Sequence, residues 1–455
     1  MPRLVVLNTV GLTVRHLAHA PRLAELARRG WSRPLGEVIP AVTCATQASM
    51  LTGKTPSEHG IVGNGWLFAD TMEVRFWQQS NRLIEAEPVY VTAKKRNPAF
   101  RCAKLFWWFN QGADVDISVT PKPHYGADGN KAFDVLAYPE SLGVDLKREL
   151  GPFPFPTFWG PMAGLPCSAW IGACAAAVLR RPPSPPDLTL VYLPHLDYET
   201  QRLGPSRCDW PKLGRELDSA CAPILDAANE VGAQVWVVNE CAHVDVDQPI
   251  LINRELARAG FLSSRVGPFG SQLDTFESRA FAVCDHQIAH VHVREAKDRD
   301  AVRTVIEKLP GVASIHAGAE RAAIGLDHRR AGDLVVLSNA NAWFAYPFWL
   351  ENQPPPDYAP TIDIHRKPGY DPCELFFNPQ LTFPKFRAMR RLLAKKLGFR
   401  TLFDVISLDP NQVRGSHGLP ATNVDDCPVL IGSGPAPPPG RVDQTAVRDL
   451  ILSQL

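Results

Sequence analysis

The hydroxyl of Thr43 is the first candidate for chemistry in this chain. The stretch PAVTCATQASMLTGKTPSEHGIVGN (40–64) places it after a proline and before a segment that ends at Gly53. That pattern predicts a loop entering a short helix, with Thr43 near the N-cap. Thr43 could therefore cap the helix, or it could attack a substrate from a position where backbone N–H groups favour anions.

Four polar side chains elsewhere in the chain could lie beside the Thr43 hydroxyl and take part in its reaction. Asn8, Asp197 and Glu240 each end a predicted buried strand, and His417 lies in the late stretch RGSHGLP. Taken singly, each could cap a helix or be a satisfied loop residue. Because the carboxyl ends of parallel strands meet at one edge of a sheet, we expect these groups to converge with Thr43. Oxygen and imidazole donors gathered in this way suit divalent ions of the zinc or manganese type.

The elements that must position these residues alternate between strands and helices. Near-continuous apolar runs predict buried strands, and a 3.6-residue period predicts amphipathic helices between them. In chain order these are a strand at 4–8, a helix at 16–30, a strand at 188–197, a helix at 215–232 and a strand at 233–240. This order predicts an α/β fold with a doubly wound, mostly parallel sheet and helices on both faces.

Three regions depart from that alternation. Residues 66–185 are rich in aromatic and loop residues, including FWWFN (106–110), and are predicted to form a cap inserted above the sheet. Residues 281–345 hold a second alternation and are predicted to form a small α/β subdomain. Residues 386–397 have the pattern of an amphipathic basic helix. The 455 residues are therefore predicted to form one large catalytic domain with these additions.

The composition excludes several classes of function. Lys and Arg total 48 against 47 Asp and Glu, which leaves no field of one sign to attract a nucleic acid or an anionic bilayer. No run of about 18 apolar residues occurs, so no membrane span is expected. The start MPRLVVLNTVGL lacks the pattern of a secretory leader, and the ten cysteines contain no CxxC pair. Both observations predict reduced thiols in a cytoplasmic protein; the oligomeric state stays open.

The stretch around Thr43 resembles a motif of the alkaline phosphatase superfamily, and within it of the nucleotide pyrophosphatase/phosphodiesterase and phosphonoacetate hydrolase branch. It is similar to that branch's P-x-x-T-x-P-N-x-x-x-x-x-T-G-x-x-P-x-x-H-G-I. HLDYETQRLGP, AQVWVVNECAH and RGSHGLP resemble the stretches that carry the branch's metal ligands. The resemblance implies an alkaline-phosphatase-like fold in which Thr43 is a metal-bound nucleophile. It also implies that Asp197, Glu240 and His417 are metal ligands.

The chain departs from the branch's pattern at four positions. Asn8 stands in place of an Asp, Gln201 and Cys241 in place of two His, and Thr46 in place of the Asn that holds the transferring oxygen. An amide offers a cation no charge, so one of the two implied metal positions, with Asn8 as a ligand, is predicted to be weak or altered. Cys241 could bind zinc as a thiolate, although a buried cysteine is more often a small apolar side chain. Thr46 and Gln201 are predicted to contact the substrate.

Two further stretches complete the predicted site. His365 in DIHRKPGYDP could supply the imidazole that Gln201 lacks, with Asp363 as a metal ligand or as a partner of that imidazole. Lys104 and Trp107, beside and within FWWFN, are predicted to line the wall that contacts the leaving group. Packing inside the cap explains these aromatic residues equally well.

Together these features predict a metal-dependent hydrolase of phosphoric esters, of the phosphodiesterase or nucleotide pyrophosphatase type, with a phosphorylated Thr43 intermediate. The predicted cofactor is one or two divalent ions, zinc before manganese, and the predicted partner is a small phosphorylated substrate. A second class stays open: a degenerate family member that binds a phosphorylated metabolite or partner without turnover. A sulfatase that uses Cys44 is disfavoured, because CATQA lacks the Pro and Arg of C-x-P-x-R.

Overall fold

The computed structural model describes residues 2–127, 131–399 and 401–455. Its α-helices are α1 (Pro21–Arg29), α2 (Thr43–Thr52), α3 (Pro56–His59), α4 (Val89–Arg96), α5 (Glu140–Leu150), α6 (Leu165–Arg180), α7 (His195–Leu203), α8 (Trp210–Glu230), α9 (Ile252–Arg258), α10 (Arg299–Glu307), α11 (Glu320–Ala323), α12 (Pro384–Lys396) and α13 (Val447–Gln454). Its strands are β1 (Arg3–Asn8), β2 (Trp31–Gly36), β3 (Gly65–Phe68), β4 (Glu73–Phe76), β5 (Cys102–Leu105), β6 (Ile117–Pro121), β7 (His124–Tyr125), β8 (Lys131–Ala132), β9 (Val135–Tyr138), β10 (Leu188–Tyr192), β11 (Ala233–Val238), β12 (Val244–Asp245), β13 (Gln248–Ile250), β14 (Ser264–Gly267), β15 (Gly270–Leu273), β16 (Ala280–Asp285), β17 (Ile288–Val293), β18 (Val312–Ala317), β19 (Leu334–Ser338), β20 (Ala342–Phe344), β21 (Gly415–Ser416), β22 (Val429–Gly432) and β23 (Val442–Asp443).

A nine-stranded sheet forms the centre of the molecule, in the order β23-β2-β22-β11-β1-β10-β5-β6-β9. The five strands from β11 to β6 in that order are parallel neighbours. The strands β22 and β9, which flank them, are antiparallel to their neighbours β11 and β6. The sheet is therefore mostly parallel, as the alternation of strands and helices predicts.

Strand β1 shows why its sequence is almost continuously apolar. Val5 and Leu7 pack on one face, in a cluster that includes residues of α6 and α8. Leu4 and Val6 pack on the other face, in a cluster that includes residues of α2, α4 and α13. A strand buried on both faces needs apolar side chains at every position, which removes the alternation typical of a half-exposed strand. The prediction of helices on both faces of the sheet is confirmed.

The segment 66–185 is not a separate cap. It supplies β5, β6 and β9 to the central sheet, and α4 and α6 pack in the two core clusters on its faces. The sequence reading missed these strands because they are only four or five residues long and one contains a lysine. Short apolar runs between loop residues carry little periodicity.

The segment 281–345 contains a sheet of its own. Strands β16, β17, β19 and β18 form a four-stranded sheet in that order, and all its pairings are antiparallel. Its core includes residues of α9 and α10. The first hairpin turn of this sheet, between β16 and β17, brings Asp285 and His286 to the functional site described below.

The strands that precede the candidate carboxylates end earlier than predicted. β10 ends at Tyr192, and Asp197 lies in the first turn of α7. β11 ends at Val238, and Glu240 follows it by two residues. Both carboxylates still lie beyond the carboxyl ends of parallel strands, one on either side of β1, where ligands of such sheets bind. In the described part of the chain, no helix is long and apolar enough to cross a membrane.

Candidate functional site

Thr43 is the first residue of α2 and does not cap it. The N-cap is Val42, whose backbone is extended, and Gly53 ends the helix in a left-handed conformation with φ of 68°. The Thr43 side chain instead lies beside those of Tyr192 and Glu240. Its hydroxyl therefore belongs to the carboxyl edge of the sheet, and the helix-capping alternative is excluded.

The glycine-rich stretch after α3 anchors the start of α2. The side-chain oxygen of Asn64 accepts the backbone N–H of Cys44 at 3.0 Å. The backbone N–H and side-chain amide of Asn64 donate to the Asp285 carboxylate at 2.7 and 3.0 Å. Because Asp285 ends β16, these bonds fix the helix that carries Thr43 to the smaller sheet.

Asp197, Cys241, His243 and His417 form a compact group, which we call the nitrogen–sulfur cluster. One ligand atom from each of Cys241, His243 and His417 lies within 4.8 Å of the other two. His243 Nε2 is 2.8 Å from Asp197 Oδ1, and His417 Nε2 is 3.9 Å from the same oxygen. The cysteine and both histidines are buried, and 14% of the Asp197 side chain is exposed.

Hydrogen bonds and burial set the charge states in this cluster. His417 Nδ1 lies 2.7 Å from the carbonyl oxygen of Ala41, to which it donates, so its lone pair is on Nε2. Burial, together with the neighbouring His243, lowers the pKa of His417 to about 4. Burial tends to raise the pKa of Asp197, but the hydrogen bond and charge of His243 and the charge of His417 leave it below its ordinary value. A neutral imidazole and an ionised carboxylate are the forms that bind metal ions.

Asn8, Gln47 and Glu240 form a second group, which we call the amide cluster. Asn8 Nδ2 donates to Glu240 Oε1 at 2.7 Å, and Gln47 Nε2 donates to the same oxygen. All three side chains are fully buried. Burial raises the pKa of Glu240 to about 7, although its interactions with Gln47, Thr43 and Asn8 oppose the rise. Here a carboxylate is held by amide donors rather than placed among other ligands.

Gln201 connects the nitrogen–sulfur cluster to an aromatic wall. Its side-chain amide donates to Asp197 Oδ1 at 2.9 Å, and its oxygen accepts the Tyr370 hydroxyl at 2.8 Å. The His286 ring stacks on Tyr370, and its centroid lies 3.8 Å from the centroids of both Tyr370 and His417. The Gln201 side chain is thus occupied in holding Asp197, and its contact with a substrate stays a prediction.

The nitrogen–sulfur cluster fits a divalent ion of the zinc type. A thiol, two imidazoles and a carboxylate are the donors that zinc prefers, and they converge here from different elements. His243 faces Asp197 with Nε2, and its buried Nδ1 has no hydrogen-bond partner among the described atoms. No other group of three such side chains occurs in the part of the chain that the structure describes.

His365 and Asp363 lie away from this cluster. His365 Nδ1 is 3.4 Å from the carbonyl oxygen of Phe76, and Asp363 pairs with Arg366 at 2.7 Å and Lys131 at 3.6 Å. Neither side chain belongs to the group of potential ligands found among the described residues. The prediction that His365 replaces the imidazole missing at Gln201 is therefore wrong.

The imidazole beside Asp197 is that of His243. Its signal was present in the sequence, because His243 follows Cys241 by two residues in the same run, NECAH. Sequence reasoning stopped at the position that matches the family motif. Gln47 was missed as well, although it stands four residues after Thr43, one helical turn further along the same face.

Lys104 and Trp107 lie in the core rather than in a substrate wall. The Lys104 ammonium donates to the carbonyl oxygens of Trp108 and Phe109 at 2.7 and 2.9 Å, and its side chain is fully buried. Trp107 is 1% exposed and packs among residues of the central sheet. The aromatic residue that adjoins the site is the next one: the backbone N–H of Trp108 donates to Gln47 Oε1 at 2.7 Å.

Thr46 is turned toward its own helix. Its hydroxyl donates to the carbonyl oxygens of Val42 and Thr43 at 3.0 and 3.2 Å, and the side chain is fully buried. Such a bond back to the preceding turn is a common use of threonine within a helix. The contact between Thr46 and a substrate therefore has no support from the geometry.

Comparisons with known proteins identify the family and the fold of this chain. The family described as type I phosphodiesterase / nucleotide pyrophosphatase matches residues 4–371. Murine ectonucleotide pyrophosphatase/phosphodiesterase 5, solved as an inactive variant in complex with AMP, superposes with a TM-score of 0.60 at 12% identity, covering 100% of this chain and 95% of that one. Phosphonoacetate hydrolase from Sinorhizobium meliloti, in complex with phosphonoformate, gives a TM-score of 0.60 at 15% identity with the same coverage. A search of curated proteins finds no match.

Proposed function

The chain belongs to the type I phosphodiesterase / nucleotide pyrophosphatase family, and we propose from this premise that it hydrolyses phosphoric esters with Thr43 as the nucleophile. The proposed enzyme is metal-dependent and of the phosphodiesterase or nucleotide pyrophosphatase type. One observation carries the proposal: His417 of the nitrogen–sulfur cluster donates to the carbonyl oxygen of Ala41, two residues before Thr43, at 2.7 Å. This bond supports a position of the proposed nucleophile beside that cluster.

Each residue of the site has a proposed role in the reaction. The four side chains of the nitrogen–sulfur cluster would hold a divalent ion, with zinc as the first candidate and manganese as the second. When bound, such an ion supplies positive charge for the phosphoryl oxygens and favours the deprotonated form of a nearby hydroxyl. Glu240 and Tyr192 orient the Thr43 oxygen, which forms a bond to phosphorus as the bond to the leaving oxygen breaks. Water then hydrolyses the phosphorylated threonine and restores the enzyme.

A small phosphorylated substrate is proposed because an aromatic wall adjoins the site. The Trp77 ring lies 5.0 Å from that of Trp108 and 6.0 Å from that of Tyr370. Tyr370 in turn donates to Gln201, which holds Asp197. Aromatic faces at this position can stack a ring of the leaving group. The complex of the murine relative with AMP supports a substrate of this size.

The test is turnover by the full-length protein, purified without a chelator. We expect hydrolysis of bis(p-nitrophenyl) phosphate, loss of that activity after removal of ions with a chelator, and recovery on addition of Zn²⁺. Quenching in acid during turnover and analysis of peptides by mass spectrometry is expected to find the phosphoryl group on Thr43. An ion-loaded protein that is inert toward phosphoric mono- and diesters would overturn the proposal.

A second candidate function is ligand binding without turnover. The replacement of family ligands at Asn8, Gln201 and Cys241 favours it, because each replacement removes a charge or an imidazole from the reacting centre. Calorimetric titration of the ion-loaded protein with AMP separates the two candidates. Saturable binding of AMP by a protein that turns over none of the esters above supports the second function, and turnover supports the first.

A further inference from the structure

We propose that this site holds one tightly bound divalent ion, in the nitrogen–sulfur cluster, where the family resemblance implies two. In the place of a second ion, the amide donors of Asn8 and Gln47 hold the Glu240 carboxylate beside Thr43. This inference deepens the proposed function and rests on it. It depends on the orientation of two amides and on the number of oxygen donors left for a cation.

The orientation of Gln47 is fixed by a neighbour. The backbone N–H of Trp108 donates to Gln47 Oε1 at 2.7 Å, so the Nε2 end must point the other way, at Glu240. Trp108 itself is held in place by Lys104, which donates to the Trp108 carbonyl oxygen. An N–H group aimed at the carboxylate oxygen occupies one of its lone-pair directions and places positive partial charge where a cation would sit.

The orientation of the Asn8 amide is fixed by Glu240 Oε1. Asn8 Nδ2 donates to Glu240 Oε1 at 2.7 Å, whereas a reversed amide would set two oxygens against each other. After these bonds, two buried oxygens of the amide cluster lack a partner among the described atoms, Asn8 Oδ1 and Glu240 Oε2. With the Thr43 hydroxyl they make three oxygen donors, which only reaches the lower end of the three or four protein donors typical of zinc sites and includes neither nitrogen nor sulfur.

Cys241 does not add a ligand to the amide cluster, because its sulfur belongs to the nitrogen–sulfur cluster. Its sulfur lies within 4.8 Å of the ligand nitrogens of His243 and His417, and this group is the nitrogen–sulfur cluster. A thiolate in that cluster serves the first ion, which is soft enough to prefer it. The amide cluster is thus left with Thr43 and two oxygens, which are hard donors with a single charge among them.

Counting ions in the full-length protein tests the inference. Native mass spectrometry and elemental analysis after loading with Zn²⁺ and gel filtration are expected to give one equivalent per chain. With Co²⁺ in place of Zn²⁺, a thiolate-to-cobalt absorption band is expected, and it should disappear in Cys241→Ser. The matched control is Cys221→Ser, which replaces an equally buried cysteine in α8 and should keep the band. Two retained equivalents, or a band unaffected by Cys241→Ser, would overturn the inference.

A rebuilt variant gives a second readout. Asn8→Asp combined with Gln47→Ala replaces one amide donor by a carboxylate and removes the other. We expect this double variant to retain a second ion after gel filtration; retention of one ion alone would contradict the assignment of the amides as the obstacle. The inference and the proposed function fail separately, because ester turnover with two ions overturns only the inference. One ion without turnover overturns only the function.

A different observation concerns the surface around α12, far along the chain from Thr43. Large apolar side chains follow one another at helical spacing and point into solvent. Their exposed fractions run from 57% to 72%, and they are Phe383, Phe386, Met389, Leu393, Leu397 and Phe399. We call this surface the α12 face. On the opposite side of the helix, Ala388 is buried in a small core with Trp343 and Ile406.

The sequence of the α12 segment is basic, although the balanced charge of the whole chain predicts no attraction to an anionic bilayer. The sequence 384–399 holds six Lys or Arg residues and no Asp or Glu, in a chain whose net charge is only +1. Arg387 and Arg391 pair with Asp404 next to the helix, whereas Arg390 is exposed. A helix with exposed Phe, Leu and Met beside basic residues has the composition of helices that lie in the surface of an anionic membrane.

The geometry points to an anionic lipid surface as the occupant of the α12 face. Two copies of the chain would bring their basic helices together and repel each other, which disfavours self-association through this face. Lipid phosphates complement the positive charge, and the acyl boundary accepts the phenylalanine and leucine side chains. Such binding at the surface is compatible with the lack of a spanning helix in the described residues.

Sedimentation with vesicles tests this second inference. The full-length protein is expected to bind vesicles of phosphatidylcholine with phosphatidylserine, to bind less at high salt, and not to bind phosphatidylcholine alone. Phe386→Ser with Leu393→Ser should abolish binding, and Arg390→Glu should weaken it. The control Phe269→Ser removes an equally exposed phenylalanine outside the face and should bind normally. No binding to anionic vesicles, or equal loss in the control, would overturn the proposal, and so would binding only to an acidic protein.

Discussion

The nitrogen–sulfur cluster and the amide cluster lie side by side at one edge of the sheet and surround a carboxylate with different partners. Asp197 Oδ1 accepts N–H groups from Gln201 and His243, and the thiol of Cys241 and the imidazole of His417 beside it add ligands that a cation could share. Glu240 receives N–H groups from Asn8 and Gln47, so one of its oxygens is already satisfied. Neighbouring donors, more than the carboxylate itself, decide whether a buried acid binds a metal ion or joins a hydrogen-bond network.

Thr43→Ala breaks the function that both clusters serve, and it is expected to have the largest effect. Removal of the nucleophile should lower kcat on the order of a thousandfold or more, with ion content unchanged. Thr52→Ala is the matched control, because the Thr52 hydroxyl lies in the same helix and donates to the Ala48 carbonyl oxygen. Steady-state kinetics with bis(p-nitrophenyl) phosphate measures both. Equal activity of the two variants would remove Thr43 from the mechanism.

His243→Asn tests the nitrogen–sulfur cluster alone. Loss of a ligand should weaken ion binding by at least about a hundredfold, because replacement of groups that merely support metal ligands already costs roughly 10- to 100-fold. Competition with a chromogenic chelator measures the affinity directly. His290→Asn serves as control: His290 is equally buried, but its ring nitrogens lie 3.0 and 3.2 Å from Val62 O and Gly332 N. Unchanged affinity in His243→Asn would contradict the assignment.

Gln47→Leu tests the amide cluster through stability rather than ion binding. The change removes one donor from the buried Glu240 carboxylate and leaves the Trp108 N–H without its acceptor. The free energy of unfolding should fall by about 1–3 kcal/mol, the typical cost of unsatisfied buried polar groups. Urea denaturation followed by fluorescence measures it, with the exposed Gln272→Leu as control. A loss no greater than that of the control would show that the bond contributes little.

Lys104→Met tests the support of the amide cluster through the pH dependence of stability, because Lys104 holds the Trp108 segment that orients Gln47. Burial lowers the pKa of Lys104 to about 7 from its ordinary 10.5. Between these values the unfolded chain binds more protons than the folded one, so stability should rise with pH, by at most about 1.4 kcal/mol per unit. Urea denaturation from about pH 7 to about pH 9 should show a steeper rise for the wild type than for Lys104→Met. The exposed Lys122→Met should keep the wild-type slope.

The parts of the fold that sequence reasoning predicted are the long, strongly patterned ones. β1, β10 and β11 are buried on both faces and consist of apolar runs, and α8 has a clear amphipathic period. The strands between residues 102 and 138 escaped prediction, because a four-residue strand with a buried lysine has no local signature. Its place in the sheet depends on pairing with β10, which is distant in the chain.

The same division applies to the site. Local motifs were enough to nominate Thr43, Asp197 and His417, since each stands in a stretch that resembles a known pattern. They failed for His365, because a departure from a motif at Gln201 says that an imidazole is missing but not where a replacement lies. The replacement is a matter of distance in three dimensions, and His243 meets it at 2.8 Å from Asp197.

By itself the sequence determined that this chain folds around a parallel sheet and carries a threonine at the entrance of a helix, because periodicity and turn residues act over short spans. Only the tertiary structure decided which side chains meet beyond the ends of the strands, and that Asp197 lies beside a thiol and two imidazoles whereas Glu240 lies between two amides. Those contacts join residues hundreds of positions apart, such as Asn8 and Glu240. They are set by the packing of whole elements, which no local pattern records.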